Sequence, residues 1–265
     1  MNSVHFTSGT GEPTVVITRV AETQWHAVED DQVVGCGDAS LRPDGRLFLS
    51  IDAWHRTVFD QLAEAMLADL PRPLYTLVDE ADPDLTTSWK QLGFTVRHRE
   101  WEYLVPTDPQ ITGLDSVQPP SDVTIVPAGE AQEGPLRALD REIREEVEAT
   151  VGWQTMPAEV LPRPNGTTVL YPSKYAVAAQ SDRYVGLVRV APVTRQPRIG
   201  LIAVRADQHR RGIARALLAQ VLGSLHRGGI ETATAEVNES NRAALALFEG
   251  VGARRVASHL ELVRR

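Results

Sequence analysis

Leu201-Ile-Ala-Val-Arg-Ala-Asp-Gln-His-Arg-Arg-Gly-Ile-Ala-Arg-Ala-Leu-Leu218 reads as an apolar strand that turns through Arg210, Arg211 and Gly212 directly into an amphipathic helix. A helix start offers backbone N–H groups without intrahelical partners, together with the positive end of the helix dipole. Gly212 and Ala214 keep bulky side chains away from those groups, while Arg210, Arg211 and Arg215 add positive charge. The stretch therefore predicts an anion site of the strand-turn-helix kind. It lacks the Gly-x-Gly-x-x-Gly pattern of dinucleotide folds and the Gly-Lys-Ser/Thr ending of nucleoside-triphosphate loops, which argues against both.

Outward from this point, apolar spacing predicts the strand Ile199 to Val204, the helix Ile213 to His226, a strand at Thr232 to Val237 and a helix at Ser240 to Gly250. Upstream, Leu136, Leu139, Ile143 and Val147 fall at i, i+3, i+7 and i+11 and predict a helix with one apolar stripe. Tyr175 to Ala179 and Val185 to Val190, joined by the turn-like Gln180-Ser-Asp-Arg, predict an antiparallel hairpin. The N-terminal half repeats the order more faintly. Leu47, Phe48, Leu49 and Ile51 read as a strand, and Val58, Phe59, Leu62, Ala65, Met66 and Leu70 recur at helical spacing. A strand at Leu74 to Val78, a short helix at Leu85 to Leu92 closed by Gly93, and a strand at Phe94 to Val105 follow.

Laid on the second half, Gly93 falls on Gly252 and Asp79 on Asn238 with one offset, since 252 − 93 and 238 − 79 are both 159. The same offset sets Asp82 on Asn241 and Trp89 on Phe248. A gapless match from strand through helix to glycine predicts two copies of one α/β unit. The proline-rich stretch over residues 106–122 separates them. The expected division is an N-terminal unit over residues 1–108, a linker at 109–121 and a C-terminal unit over 122–265.

The chain has 265 residues, 42% apolar and 23% charged, enough to bury a sizeable core. Its formal charge of −8 gives no global attraction to nucleic acid or an anionic membrane, so any phosphate site is local. Cys36 stands alone, which excludes an intramolecular disulfide and a cysteine-rich metal site and favours a cytoplasmic location. No apolar run approaches the roughly 20 residues of a spanning helix, and the N-terminus lacks the regions of a signal peptide. The expectation is a soluble, unprocessed protein.

His209-Arg-Arg-Gly212-Ile-Ala214 resembles the acyl-CoA pyrophosphate loop of the GNAT N-acetyltransferases, Gln/Arg-x-x-Gly-x-Gly/Ala, and departs from it at His209. Glu236-Val-Asn238-Glu-Ser-Asn241-Arg-Ala-Ala244-Leu-Ala-Leu-Phe248-Glu-Gly-Val-Gly252 resembles that family's Asn-x-x-Ala-x-x-Leu-Tyr-x-x-x-Gly-Phe segment. The resemblance implies an α/β fold (an α+β mixed sheet) of two GNAT-like domains in tandem, with acetyl-CoA as donor and no metal. It implies main-chain pairing of Ile202, Ala203 and Val204 with the pantetheine arm. The pyrophosphate would lie on His209, Arg210, Arg211, Gly212, Ile213, Ala214 and Arg215, and Asn238, Asn241 and Ala244 beside the arm. Phe248 stands where many members carry the tyrosine that protonates the departing thiolate. Trp89-Lys-Gln-Leu-Gly93-Phe94 shares the resemblance in the first half, but Asp52-Ala-Trp-His-Arg-Thr57 has no glycine and carries an aspartate, so the N-terminal copy is expected to be degenerate and to bind no CoA. The layout resembles that of mycothiol synthase.

In this family the acceptor enters from the side of the first helices and the hairpin, here roughly residues 141–163 and 174–189. Glu142, Glu145, Glu146 and Glu148 would draw in a cationic amine and Trp153 would offer a flat wall, which makes Glu146 and Trp153 the substrate-binding candidates. Members often place a glutamate on the strand before the loop, and residues 199–204 contain none. Glu236 is the expected base and Tyr184 the expected acid, with Glu146, a water chain, Tyr171 and Tyr175 as alternatives. The expected activity is transfer of acetyl from acetyl-CoA to a primary amine of a small molecule or peptide. The protein is expected to act as a monomer or homodimer, with no nucleic acid and no membrane as partner. Mycothiol-synthase-like acetylation of an aminoglycoside-like thiol precursor is the first alternative. A non-catalytic acyl-CoA-binding or interaction module is the second, kept open by Phe248 and the missing strand glutamate.

Overall fold

The computed structural model describes residues 3–5, 15–150, 152, 156, 160–162, 166, 168–191 and 196–265. The chain forms two compact units, Met1–Arg99 with His259–Arg265, and Glu100–Ser258. The cut at 99/100 precedes the boundary expected at 108, and the last seven residues belong to the first unit. No helix among the described residues is long and apolar enough to cross a membrane.

The first unit contains strands β1 (Ser3–His5), β2 (Val16–Ala21), β3 (Gln24–Glu29), β4 (Gln32–Leu41), β5 (Leu47–Ala53) and β6 (Leu74–Asp79), with helices α1 (Arg56–Asp69) and α2 (Pro83–Gln91). Its sheet runs β1-β2-β3-β4-β5-β6 and then the end of the last strand, β13 (Arg254–Arg264). All neighbours are antiparallel except β5 and β6, which pair in parallel only from Leu47↔Leu74 to Leu49↔Thr76. The turn between β3 and β4 sets both Asp30 and Asp31 at positive φ, a conformation that suits a two-residue hairpin and that aspartate tolerates.

Helix α1 lies so close to β4 that a Cβ on Gly35 would stand 2.8 Å from Val58 Cγ1, and one on Gly37 would collide with Met66. Leu62, Met66, Leu74, Trp25, Trp89 and Phe94 fill the core beneath it. Trp89 meets Phe59 and Phe94 edge to face, with centroids 5.2 and 4.9 Å apart. Glu261, only 3% exposed, accepts from Arg46 Nη1 at 2.9 and 3.1 Å and from Arg97, so this buried carboxylate is fully partnered.

The second unit begins within β7 (Thr95–Pro106) and contains α3 (Pro109–Thr112), β8 (Thr124–Val126), α4 (Glu133–Glu148), β9 (Tyr175–Gln180), β10 (Arg183–Ala191), β11 (Arg198–Val204), α5 (Ile213–Arg227), β12 (Thr232–Asn238) and α6 (Arg242–Glu249). Its sheet order is β7-β12-β11-β10-β9-β8, and β11 with β12 is the parallel pair. Ile213, Leu217 and Leu222 of α5 and Leu245 and Phe248 of α6 cover one face, against Ala233, Ala235 and Val237. The predicted stripe of α4, Leu136, Leu139 and Ile143, covers the other against Val177, Leu187 and Leu201. Residues 109–121 are no free tether: Leu114 is buried in the α5 core and Val117 packs on it.

The 159-residue offset reappears as hydrogen bonds. Asp82 caps α2 by accepting from Leu85 N–H at 2.8 Å, and Asn241 caps α6 by accepting from Ala244 N–H at 3.1 Å. Asp79 Oδ1 accepts from Ala81 N–H and Asn238 Oδ1 from Ser240 N–H, both at 2.9 Å. Gly93 and Gly252 both sit at positive φ, +86° and +76°, after their helices.

Candidate active site

Strands β11 and β12 pair only at Arg198↔Thr234 and Ile199↔Ala235. Against β10, Leu201 faces Arg189 and Ile199 faces Val190, so Gly200 is the extra residue of a bulge. The bulge turns Leu201 toward the α4 core while Ile199 faces the α5 core, and beyond it the parallel strands diverge. A cleft of about 900 Å³ opens there, between residues 200–204 of β11, residues 236–238 of β12, the first turns of α5 and α6, and the second half of α4. Arg205 N–H donates to the Val185 carbonyl at 2.9 Å. By strand alternation Ile202 and Val204 then turn their backbone groups to the opposite edge, where the ladder with β12 has ended. His209 Nε2–H donates to the Val204 carbonyl at 2.7 Å.

After a short 3₁₀ turn over Ala206–Gln208, φ alternates in sign: Arg210 is at +62° and Gly212 at +84°, with negative φ at His209 and at Arg211 between them. That alternation aims successive N–H groups into one concavity, a nest for an anion, and α5 starts at its rim. A Cβ on Gly212 would meet no protein atom within 4 Å. Glycine is thus required there by the backbone conformation and leaves open the approach to the nest. Arg210, Arg215 and Arg242 line the same cleft. None of the three has a carboxylate partner among the described residues; Arg215 donates only to the Gly250 carbonyl, at 3.5 Å.

Of the residues expected around a donor, Ile202, Ala203, Val204, His209, Arg210, Gly212, Ile213, Ala214, Arg215, Asn238, Asn241 and Ala244 all line the cleft. Arg211 does not. Its guanidinium is drawn away by Asp122, which accepts two hydrogen bonds at 2.6 and 2.8 Å, and by Gln208. Arg211 therefore anchors the loop instead of offering charge to a ligand. Gln180 also donates to Asp122 at 2.7 Å, and the Arg211 bonds with it hold the Asp122 carboxyl down at about 2. Because the folded value lies below the ordinary one, the pair stabilises the fold fully above pH 3.8 and loses that contribution as pH falls through about 2. In denaturant titrations, the stability gap between wild type and Asp122→Asn is expected to be constant above pH 4 and to close toward pH 2. Parallel curves over that range would refute the pairing.

Glu146 lines the cleft, but its carboxylate accepts the Ala206 N–H at 2.9 Å. Glu142 one turn earlier binds Arg205, which also donates to Asp207 at 3.1 Å. These α4 carboxylates fix the turn that leads into the nest, and Glu146 spends one of its acceptor sites on that turn. Glu146→Ala is expected to raise the Kd for CoA roughly twofold to tenfold, the range set by the about 0.5–1.5 kcal/mol net worth of one hydrogen bond, with little change in acceptor KM. Titration calorimetry and steady-state kinetics check this.

Glu236 lines the cleft on β12 and accepts from Arg198 Nη1 at 2.7 Å. Tyr184 stands elsewhere: its hydroxyl accepts from Gln132 N–H at 3.0 Å, at the start of α4, and it does not reach the cleft. The alternation of β10 presents Tyr184 to the α4 core, which corrects its expected role as acid. Phe248, 3% exposed, lines the cleft and stacks on Tyr103, whose hydroxyl is engaged by Glu249 and Arg255. Trp153 lies outside the described residues. The wall on the α4 side adds Ile143, Val147, Thr150 and Met156, and the α6 side adds Arg242 and Leu247, none of them expected as a site residue from the sequence, where Ile143 and Val147 read only as part of the α4 stripe. Their signal was present in the α4 stripe and in the first turn after Asn241.

Residues 155–261 match the family model of the acetyltransferase (GNAT) domain. Over 51 residues, 19% of the chain, the sequence is 45% identical to the ribosomal protein bS18-alanine N-acetyltransferases of Escherichia coli K12 and Shigella flexneri. The chain spans about a third of the length of these curated relatives, 34%. A GCN5-related N-acetyltransferase from Sphaerobacter thermophilus is similar in structure, with TM-score 0.64 and 15% identity over 93% of this chain and 82% of that one. A tandem GNAT protein from the clavulanic acid biosynthesis pathway gives TM-score 0.62 and 16% identity over 91% and 82%. At these identities the structural likeness is one of fold.

Proposed function

We propose that the GNAT-superfamily acetyltransferase domain matched over residues 155–261 transfers acetyl from acetyl-CoA to a primary amine. The observation that carries this reading is the divergence of β11 from β12 beside the nest at residues 209–213, which sets an anion cradle at one end of a slot edged by unladdered backbone. Acetyl-CoA fits the residues present: phosphates on the nest and arginines, and an amide-bearing arm along Ile202 and Val204. When bound it supplies an activated thioester carbonyl. His209, already donating to Val204, would turn aside where an arm amide takes that carbonyl.

Acetyl transfer forms a C–N bond, breaks a C–S bond, removes one proton from nitrogen and returns one to sulfur. In this reading Glu236 takes the first proton, supported by its position in the cleft wall and by Arg198, which donates to its carboxylate. The second comes from solvent in this reading, because Phe248 has no proton to give. The backbone at the Gly200 bulge provides N–H groups for charge developing on the carbonyl oxygen.

The first unit is read as a second copy of the same fold without a donor site. Its caps repeat those of the second unit, yet no residue between Ser50 and Thr57 has positive φ and His55 gives α1 no side-chain cap. Phe248 favours one rival, a module that binds acyl-CoA without turnover. Calorimetry with acetyl-CoA, followed by thiol-release assays over a panel of small amines, peptides and a thiol-bearing aminoglycoside, tests both. Saturable binding with turnover supports the enzyme, binding alone supports the module, and absence of binding defeats both.

A further inference from the structure

In the first unit, Leu260 and Leu262 of β13 turn into the core under α1 and α2, so by alternation Arg264 leaves the same face of the sheet. There both helices end. Arg264, together with Glu64, Leu67 and Ala68 of α1 and Gln91 and Leu92 at the end of α2, lines a recess of about 450 Å³. It stands at the opposite end of α1 from residues 52–57, the turn that would have held a donor in this unit.

The recess presents two charges that do not pair. Arg264 is half-buried, and Gly93 lacks the Cβ that would stand 3.7 Å from its Nε. Among the described residues its guanidinium has no hydrogen bond and no ion pair. Withdrawal from water, with a further push from Arg72, holds its pKa below that of an ordinary arginine. The C-terminal ends of α1 and α2 favour a cation here, but that accounts for the charge and leaves its donors without acceptors. Glu64 lines the same recess, exposed, and its carboxylate likewise has no partner among the described residues.

Gln91 spends its Oε1 on Arg56 at 2.6 Å, which leaves its amide N–H groups as donors. Leu67 and Leu92, partly buried against the core, supply an apolar floor. A half-buried cation whose hydrogen bonds are unmade is destabilising until an anion reaches it. We propose that this recess binds a small zwitterion, a free amino acid with an apolar side chain, its carboxylate on Arg264 and Gln91, its ammonium on Glu64 and its side chain on Leu67 and Leu92. A guanidinium takes a carboxylate through two parallel hydrogen bonds, which suits the first contact. Glu64 repels a simple anion and Arg264 repels a simple amine, so a molecule carrying both charges satisfies the site where either fragment does not.

The test is calorimetric titration of the full-length protein, without acetyl-CoA, with L-leucine, with 4-methylpentanoate, which lacks the ammonium, and with isoamylamine, which lacks the carboxylate. Leucine is expected to saturate with a Kd of about 1 mM or tighter, and to bind about tenfold or more tighter than either fragment. Arg264→Gln should weaken both leucine and 4-methylpentanoate by about tenfold or more, the range for losing a hydrogen bond to a charged group. Glu64→Gln should weaken leucine similarly but leave 4-methylpentanoate equal or tighter, because a repulsion is removed. Neither side chain has a partner to lose within the protein, so both variants should keep the wild-type thermal midpoint. A leucine titration that shows no saturation by about 20 mM would overturn the proposal. So would leucine binding that both variants keep at wild-type strength, since the amino acid would then lie elsewhere. No donor is present in these titrations, so their failure leaves the acetyl-transfer reading standing, and the failure of that reading leaves this one.

Discussion

Gly212→Asp is expected to abolish measurable binding of acetyl-CoA and CoA while leaving the fold intact. At φ +84° most side chains are strained, but aspartate enters the left-handed region more readily than most, and its Cβ would meet no protein atom within 4 Å. The variant should therefore fold, with an unchanged circular dichroism spectrum and a thermal midpoint lowered by a few degrees for the strained backbone. What changes is the nest. A carboxylate would occupy the concavity where the N–H groups of residues 210–213 converge, and would face any phosphate placed there. Two unit charges about 4 Å apart at an effective dielectric of about 20 repel by roughly 4 kcal/mol, close to a thousandfold in Kd. Gly212→Asn carries the same bulk without the charge, so a milder loss in that variant separates blockage from repulsion. Calorimetric titration of folded Gly212→Asp showing wild-type affinity would exclude this loop as the donor site.

The nest was legible in the sequence because every part of it is local: a strand, a glycine and a helix within eighteen residues. The caps Asp82 and Asn241 were legible for the same reason, and the structure sets both at helix starts. Arg211 misled because its partner Asp122 is 89 positions away, and nothing in a run of arginines tells which one is neutralised. Tyr184 misled because its direction depends on pairing with β9, where the register shifts between Tyr184 and Gly186. The divergence of β11 from β12 depends likewise on a bulge at Gly200 defined only against β10. In the first unit, strands β2 to β4 alternate polar with apolar residues and carry no long apolar run, so their short stretches read as loop until neighbours pair them. Both unit boundaries fall inside strands, at 99/100 in β7 and 258/259 in β13, where composition gives no break.

Glu236→Gln is the second large effect, an expected fall in kcat of about 10²- to 10⁴-fold with acetyl-CoA Kd unchanged. Only the neutral amine attacks a thioester, and nitrogen must shed a proton as the bond forms. Glutamine keeps the shape and an oxygen for Arg198, which donates to Glu236 at 2.7 Å, but cannot take up that proton. A structural role alone would lower stability or raise KM. A base role lowers kcat while KM and stability hold. The register supplies an internal control, because Glu102 lies directly opposite Glu236 on β7. Like charges in such a pair repel, so Glu102→Gln should be neutral or mildly stabilising and keep kcat. If Glu102→Gln loses kcat instead, the base sits on β7. If Glu236→Gln stays within threefold of wild type, deprotonation proceeds through solvent and the cleft acts by proximity and carbonyl polarisation alone.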